Sequence, residues 1–138
     1  EVYYTDLQVI DANEGARVVT NALVEQDRIE LRAQEGAQIE IGLQVRDADI
    51  RAVTGGIVKA SGLAQNQVIR INTGGIFEGR ELKTDYSDIR VSAGGEAELY
   101  ASEAVDIEIR AGGDVYVYGN PRRITKDRMF GGRIYIRD

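Results

Sequence analysis

Apolar and polar residues alternate one for one along most of this chain. Ile50-Arg51-Ala52, Ile69-Arg70-Ile71, Ile89-Arg90-Val91 and Ile107-Glu108-Ile109 carry the alternation toward a pair of glycines. Beyond each pair it resumes, in Val58 and Ala60, Phe77 and Gly79, Ala97 and Leu99, Val115 and Val117, and Ile134 and Ile136. A period of two predicts strands with one buried face, and the β-branched and aromatic residues in these runs suit a pleated surface. Helical periodicity is essentially missing. The unit therefore reads as a strand, a Gly-Gly corner, a second strand and a short connection.

The corners recur at nearly constant spacing. Gly55-Gly56, Gly74-Gly75, Gly94-Gly95, Gly112-Gly113 and Gly131-Gly132 are 19, 20, 18 and 19 residues apart. Two looser copies precede them, at Glu14-Gly15 (led by Leu7 to Val9) and Glu35-Gly36 (led by Ile29 and Leu31). A fixed period of this size marks a repeat architecture. A hairpin meander does not return one corner with strand order and phase kept, whereas a parallel β-helix does. The expectation is an all-β, single-stranded parallel β-helix (a solenoid) of about seven rungs, the last incomplete. Rungs about 4.8 Å apart make a rod of roughly 30 Å. The short rung predicts a flattened or triangular section filled by Ile, Val, Leu, Ala and Thr, and a right-handed coil follows the general preference of β crossovers. Ile69, Ile89 and Ile107 hold one place relative to their corners and should stack in the core.

Composition narrows the functions open to this fold. The 138 residues form a single β-helix domain by size, and the charged residues are interspersed with a net charge of −6. Basic blocks are absent, so nucleic-acid binding is not expected. No apolar run reaches the length of a membrane span. The strand-like Val2-Tyr3-Tyr4 directly after Glu1 leads to the expectation of a mature or trimmed form. Without histidine or cysteine, Ser-His-Asp and Cys-His catalysis, typical zinc sites and haem ligation have no side chains to use. The glycine pairs open no helix and make no dinucleotide fingerprint, and the string at Ala111 to Asp114 lacks the nine-residue period of calcium-binding β-rolls. No cofactor and no metal is expected.

Two sets of side chains remain as candidates. Asp49, Asp88 and Asp106 hold equivalent places seven residues before the second glycine of their corners, with Arg51, Arg70, Arg90 and Glu108 two positions on. Such columns suit an acidic groove with arginines for an anionic sugar. The plainer expectation is that each aspartate neutralises a neighbouring arginine, because a ladder of like charges needs a partner ladder. The second set is aromatic. Tyr116 and Tyr135 share one outward register, and Tyr100 and Tyr118 share the next. Their clustering suits a sugar- or protein-contact platform, or a stack that stabilises the sheet under a folded-over segment from Gly119 to Phe130.

The stretch Gly113-Asp114-Val115-Tyr116-Val117-Tyr118-Gly119-Asn120-Pro121, followed by basic residues and Gly131-Gly132-Arg133-Ile134, resembles the ending of the head GIN domain family of autotransporter-type adhesins from Bacteroidetes. A looser repeat resemblance runs from about Ile29 to the end. The resemblance implies a β-helical domain on an exported, often lipid-anchored protein, extracytoplasmic at the periplasm or outer-membrane surface. It implies a noncatalytic adhesion role toward a host or environmental glycan or protein surface, and it transfers no catalytic residues. Family members have a longer N-terminal region, so the chain is expected to be the C-terminal part of a longer protein. Any membrane tie would run through an anchor outside this chain, and self-association stays open. The rival readings are a carbohydrate-active enzyme of the pectate-lyase type and a structural spacer. Acyl transfer on a hexapeptide helix is a weaker rival, since those enzymes rely on a histidine base.

Overall fold

The computed structural model describes residues 9–129 and 131–137. The strand-like start at Val2-Tyr3-Tyr4, Leu7, and Phe130 lie outside those residues. Nine strands follow in order: β1 (Val9–Ala12), β2 (Arg17–Gln34), β3 (Gln38–Val53), β4 (Ile57–Asn72), β5 (Ile76–Ser92), β6 (Glu96–Arg110), β7 (Asp114–Tyr118), β8 (Arg123–Met129) and β9 (Arg133–Ile136). All join one sheet through parallel pairings. The chain is a β-solenoid of about six turns. Strands β2 to β6 each make one turn. Strands β7 and β8 share the next, covering the first and second halves of β6. The seventh rung expected from the repeat is divided between β1 and β9, which are part-turns at the two ends.

The glycine pairs stack in one column, as their spacing requires. Gly55 N donates to Thr73 O at 3.1 Å, Gly94 N to Gly112 O at 3.2 Å, and Arg133 N to Gly113 O at 2.8 Å. The looser copies belong to the same column, since Gly15 N donates to Glu35 O at 3.0 Å and Gly36 N to Thr54 O at 3.1 Å. The two glycines of a pair serve different ends. Thr73 and Gly74 take successive left-handed conformations, φ 51° and 75°, and make the tight turn. Gly75 passes so close to the previous rung that a Cβ there would lie 2.1 Å from the Ala52 carbonyl oxygen.

The second connection expected within each repeat is not a loop. Each turn runs from corner to corner as one strand of 15 to 18 residues. It bends where two outward residues follow in succession, at Arg46-Asp47, Gln65-Asn66, Arg80-Glu81 and Asp85-Tyr86. The parallel pairing resumes on both sides of each bend, as in Val45 with Ala64 and Asp47 with Asn66, so the ladder is interrupted only locally there.

Inside, Leu31, Ile50, Ile69, Ile89 and Ile107 form one registered column, each fully buried. A neighbouring column places buried Phe77 between Val58 and Ala97. Its ring occupies the space that Gly79 leaves, because a Cβ on Gly79 would lie 2.0 Å from the ring. The interior is not wholly apolar. Gln67, Thr84 and Ser87 are buried near the last bend, where Gln67 Nε2 donates to Thr84 Oγ1 and that hydroxyl donates to the Tyr100 carbonyl. The isoleucine column ends at Lys126 of β8, which is exposed.

Candidate functional site

Strand pairing delivers the tyrosines in the two expected columns. Tyr116 on β7 registers with Tyr135 on β9, and Tyr100 on β6 registers with Tyr118 on β7. All four are half-buried on the outer side just past the glycine corner. The first pair stacks, with centroids 4.7 Å apart and planes 13° from parallel. The second pair is held differently. Lys83 Nζ lies 4.1 Å from the Tyr100 ring centre, and the Arg80 guanidinium carbon lies 5.2 Å from that of Tyr118. Arg137 reaches over both Tyr116 and Tyr135, at 5.9 and 5.5 Å. Cations are drawn to the negative face of an aromatic ring, more strongly where water is thinned. The surface is thus aromatic and cationic together. Desolvation first, then the neighbouring Tyr135, Asp114 and Glu96, raises the Tyr116 phenol above its ordinary pKa.

The segment after Gly119 does not fold over these rings. It turns at buried Pro121 and enters β8, which continues the coil against the second half of β6. Two depressions flank the tyrosines instead. One of about 470 Å3 is lined by Glu40, Lys59, Glu78, Arg80, Glu81 and Glu98 among others. Another of about 390 Å3 is bordered by Leu63, Lys83, Asp85, Tyr100 and Ser102. Leu63, 56% exposed, lies in the registered column Gln44, Leu63, Lys83, Tyr100, Tyr118. Lys83, Arg80, Arg137 and Leu63 are functional candidates absent from the sequence reading. Counting positions from the corner misplaces Arg80 and Lys83, because the register shifts between Gly79 and Lys83.

The charged residues also form columns, on the face that precedes the corner. One runs Glu30, Asp49, Val68, Asp88, Asp106, and the next runs Arg32, Arg51, Arg70, Arg90, Glu108. The expected pairing of each aspartate with a nearby arginine does not form. Asp49, Asp88 and Asp106 make no ion pair within 4.0 Å among the described residues, and neither do Arg51 and Arg70. Glutamates make the contacts instead. Arg32 and Glu30 meet at 2.7 Å, and Glu108 binds both Arg110 at 2.7 Å and Arg90 at 3.6 Å. Residues two apart on a strand are about 6.6 Å apart, a gap the longer glutamate closes and aspartate does not. The hydrogen bond from Glu30, then its charge, raises the Arg32 pKa further.

Asp88 and Asp106 border a depression of about 410 Å3 together with Tyr86, Arg123 and Thr125. Neither carboxylate is hydrogen-bonded to another side chain among the described residues. No group of three or more acidic side chains suited to a metal occurs among the described residues.

Residues 1–121 match the family described as "Putative auto-transporter adhesin, head GIN domain". The chain belongs to this family. The resemblance carried by the Gly113 to Pro121 stretch is thereby confirmed; the match begins ahead of the expected start near Ile29 and stops before the closing Gly131-Gly132-Arg133-Ile134. The fold of this head GIN domain is similar to the crystal structure of a putative adhesin from Bacteroides fragilis, with a TM-score of 0.80 and 19% sequence identity. The likeness covers 88% of this chain and 56% of that one, so the chain spans about half of that protein's length. At this identity the likeness is one of fold. No curated protein matches the chain.

Proposed function

We propose that this head GIN domain is a noncatalytic adhesion module of the extracytoplasmic surface, and that it meets a glycan or protein partner through the tyrosine face. The observation that carries the reading is the alignment of Tyr100, Tyr116, Tyr118 and Tyr135 in two registered columns with Lys83, Arg80 and Arg137 against the rings. Aromatic rings with a polar tip supply contact area and rim hydrogen bonds at little entropic cost. Membership in an adhesin family supports a binding role and a surface location. The absence of histidine and cysteine from the sequence supports a noncatalytic one.

The domain should retain glycans or surface proteins in an array and whole-cell capture experiment, and should release no new reducing ends from any polysaccharide it retains. Turnover that disappears in Asp88→Asn or Asp106→Asn, with the fold intact, would establish the lyase or hydrolase alternative. A domain that captures nothing would leave it a structural spacer.

A further inference from the structure

We propose that the face preceding the glycine corner holds a site for a carboxylate-bearing polysaccharide, centred on Arg51 and Arg70. Four arginines, Arg32, Arg51, Arg70 and Arg90, stand in register on successive rungs about 4.8 Å apart. The outer two are neutralised by Glu30 and Glu108. The inner two make no ion pair within 4.0 Å among the described residues. The acidic column beside them is interrupted by Val68, so the rung of Arg70 presents Val68, Arg70 and Asn72 with no acid on this face. Like charges directly opposite each other in a sheet are destabilising. An anion supplied from outside would relieve that repulsion.

The ground beside Arg70 is built from donors. A depression of about 390 Å3 is lined by Arg70, Asn72, Arg90, Ser92, Glu108 and Arg110. Three arginines face one carboxylate there, a local positive surplus on a chain of net charge −6. The Thr73 hydroxyl donates to Asn72 Oδ1 at 3.1 Å, which leaves the Asn72 amide nitrogen as a donor, and Ser92 registers beside Asn72 on the next rung.

The pattern selects among polyanions. A guanidinium receives a carboxylate through two parallel hydrogen bonds. Asn72, Ser92, Asp49 and Asp88 add partners for hydroxyl groups, which a polysaccharide has and an acidic polypeptide lacks. A nucleic acid, with one phosphate charge per about 1.7 Å of duplex axis, meets more repulsion from Asp49, Asp88 and Asp106 than a chain with one carboxylate per sugar. This site rests on the reading of the domain as a binding module but lies across the corner from the tyrosines.

The test is surface plasmon resonance of the full chain against polygalacturonate, with dextran, polyglutamate and duplex DNA as comparisons. Polygalacturonate should bind, more weakly as salt rises, and dextran should not. Arg51→Gln/Arg70→Gln should lose about tenfold or more, the scale of hydrogen bonds to charged groups. Tyr116→Ser/Tyr118→Ser should keep this binding. Arg70→Gln alone, at an exposed position, serves if the double variant is unstable. Absence of polygalacturonate binding, equal binding of polyglutamate or DNA, or arginine variants that bind like the parent would each overturn the site. Polygalacturonate binding that is lost in the tyrosine variant but kept in the arginine variants would overturn this site and leave the adhesion reading standing, whereas whole-cell capture that fails in the tyrosine variant while its polygalacturonate binding is kept would overturn neither.

Discussion

Two adjacent glycines, Gly74 and Gly75, separate two physical demands that look identical in the sequence. A Cβ on Gly74 meets nothing within 4 Å, so its replacement is opposed by the left-handed backbone alone. Gly74→Ala should cost about 1–2 kcal/mol. A Cβ on Gly75 runs into the Ala52 carbonyl at 2.1 Å, and rungs held by the sheet ladder on both sides cannot part locally. Gly75→Ala should therefore cost about 3 kcal/mol or more. Urea unfolding of the two variants side by side checks the order, and equal losses would mean that close approach plays no part. Ile89, fully buried between Ile69 and Ile107, should lose about 2–5 kcal/mol on truncation to alanine. A loss under about 0.5 kcal/mol would place it outside the core. Its inward position was legible from its constant place before the corner. The polar interior of Gln67, Thr84 and Ser87 was not, because a phase slip at Gln65-Asn66 and another at Asp85-Tyr86 reverse which residues face in.

At the level of elements, the corner and the bend are built by different means. The corner is written in glycine and repeats visibly. The bend is written as two consecutive outward residues, a pattern that reads as a loop when alternation alone is followed. That is why the second connection of each repeat was expected and a continuous strand was found. Strand β8 was hidden for a related reason, since its inward register holds Lys126 where earlier rungs hold isoleucine. At the last bend, Asn66 Nδ2 donates to Asp47 Oδ1 at 3.0 Å and links two rungs. That bond, ahead of the hydrogen bond and charge of Arg46, depresses the Asp47 pKa. A depressed carboxylate pKa contributes stability that is present above the unfolded pKa and lost as pH falls through the folded one. The difference in stability between the parent and Asn66→Ala should thus be full at neutral pH and shrink as pH drops below the ordinary aspartate range. A difference that stays constant down to strongly acidic pH would show that the bond does not involve the ionised carboxylate.

The whole molecule places its chemistry on two outer faces that meet at the glycine corner. The tyrosine columns were legible because they fall close after a corner, where register is fixed by the turn. Their cationic partners were not, because the register shift between Gly79 and Lys83 brings Arg80 and Lys83 to the rings from outside the repeat. The charge columns were legible as columns. Their pairing was misjudged because alignment along a strand does not ensure contact, and reach separates glutamate from aspartate. The most direct test of the account is the affinity of Tyr116→Ser/Tyr118→Ser, beside the parent domain, for the glycan or surface protein that the parent captures. Binding should fall by about 30-fold or more, the scale of aromatic anchors in interfaces, with the urea midpoint held well enough to keep the domain folded. Unchanged affinity in a folded variant, or a loss of stability with affinity retained, would contradict the claim that the tyrosine face is the working surface.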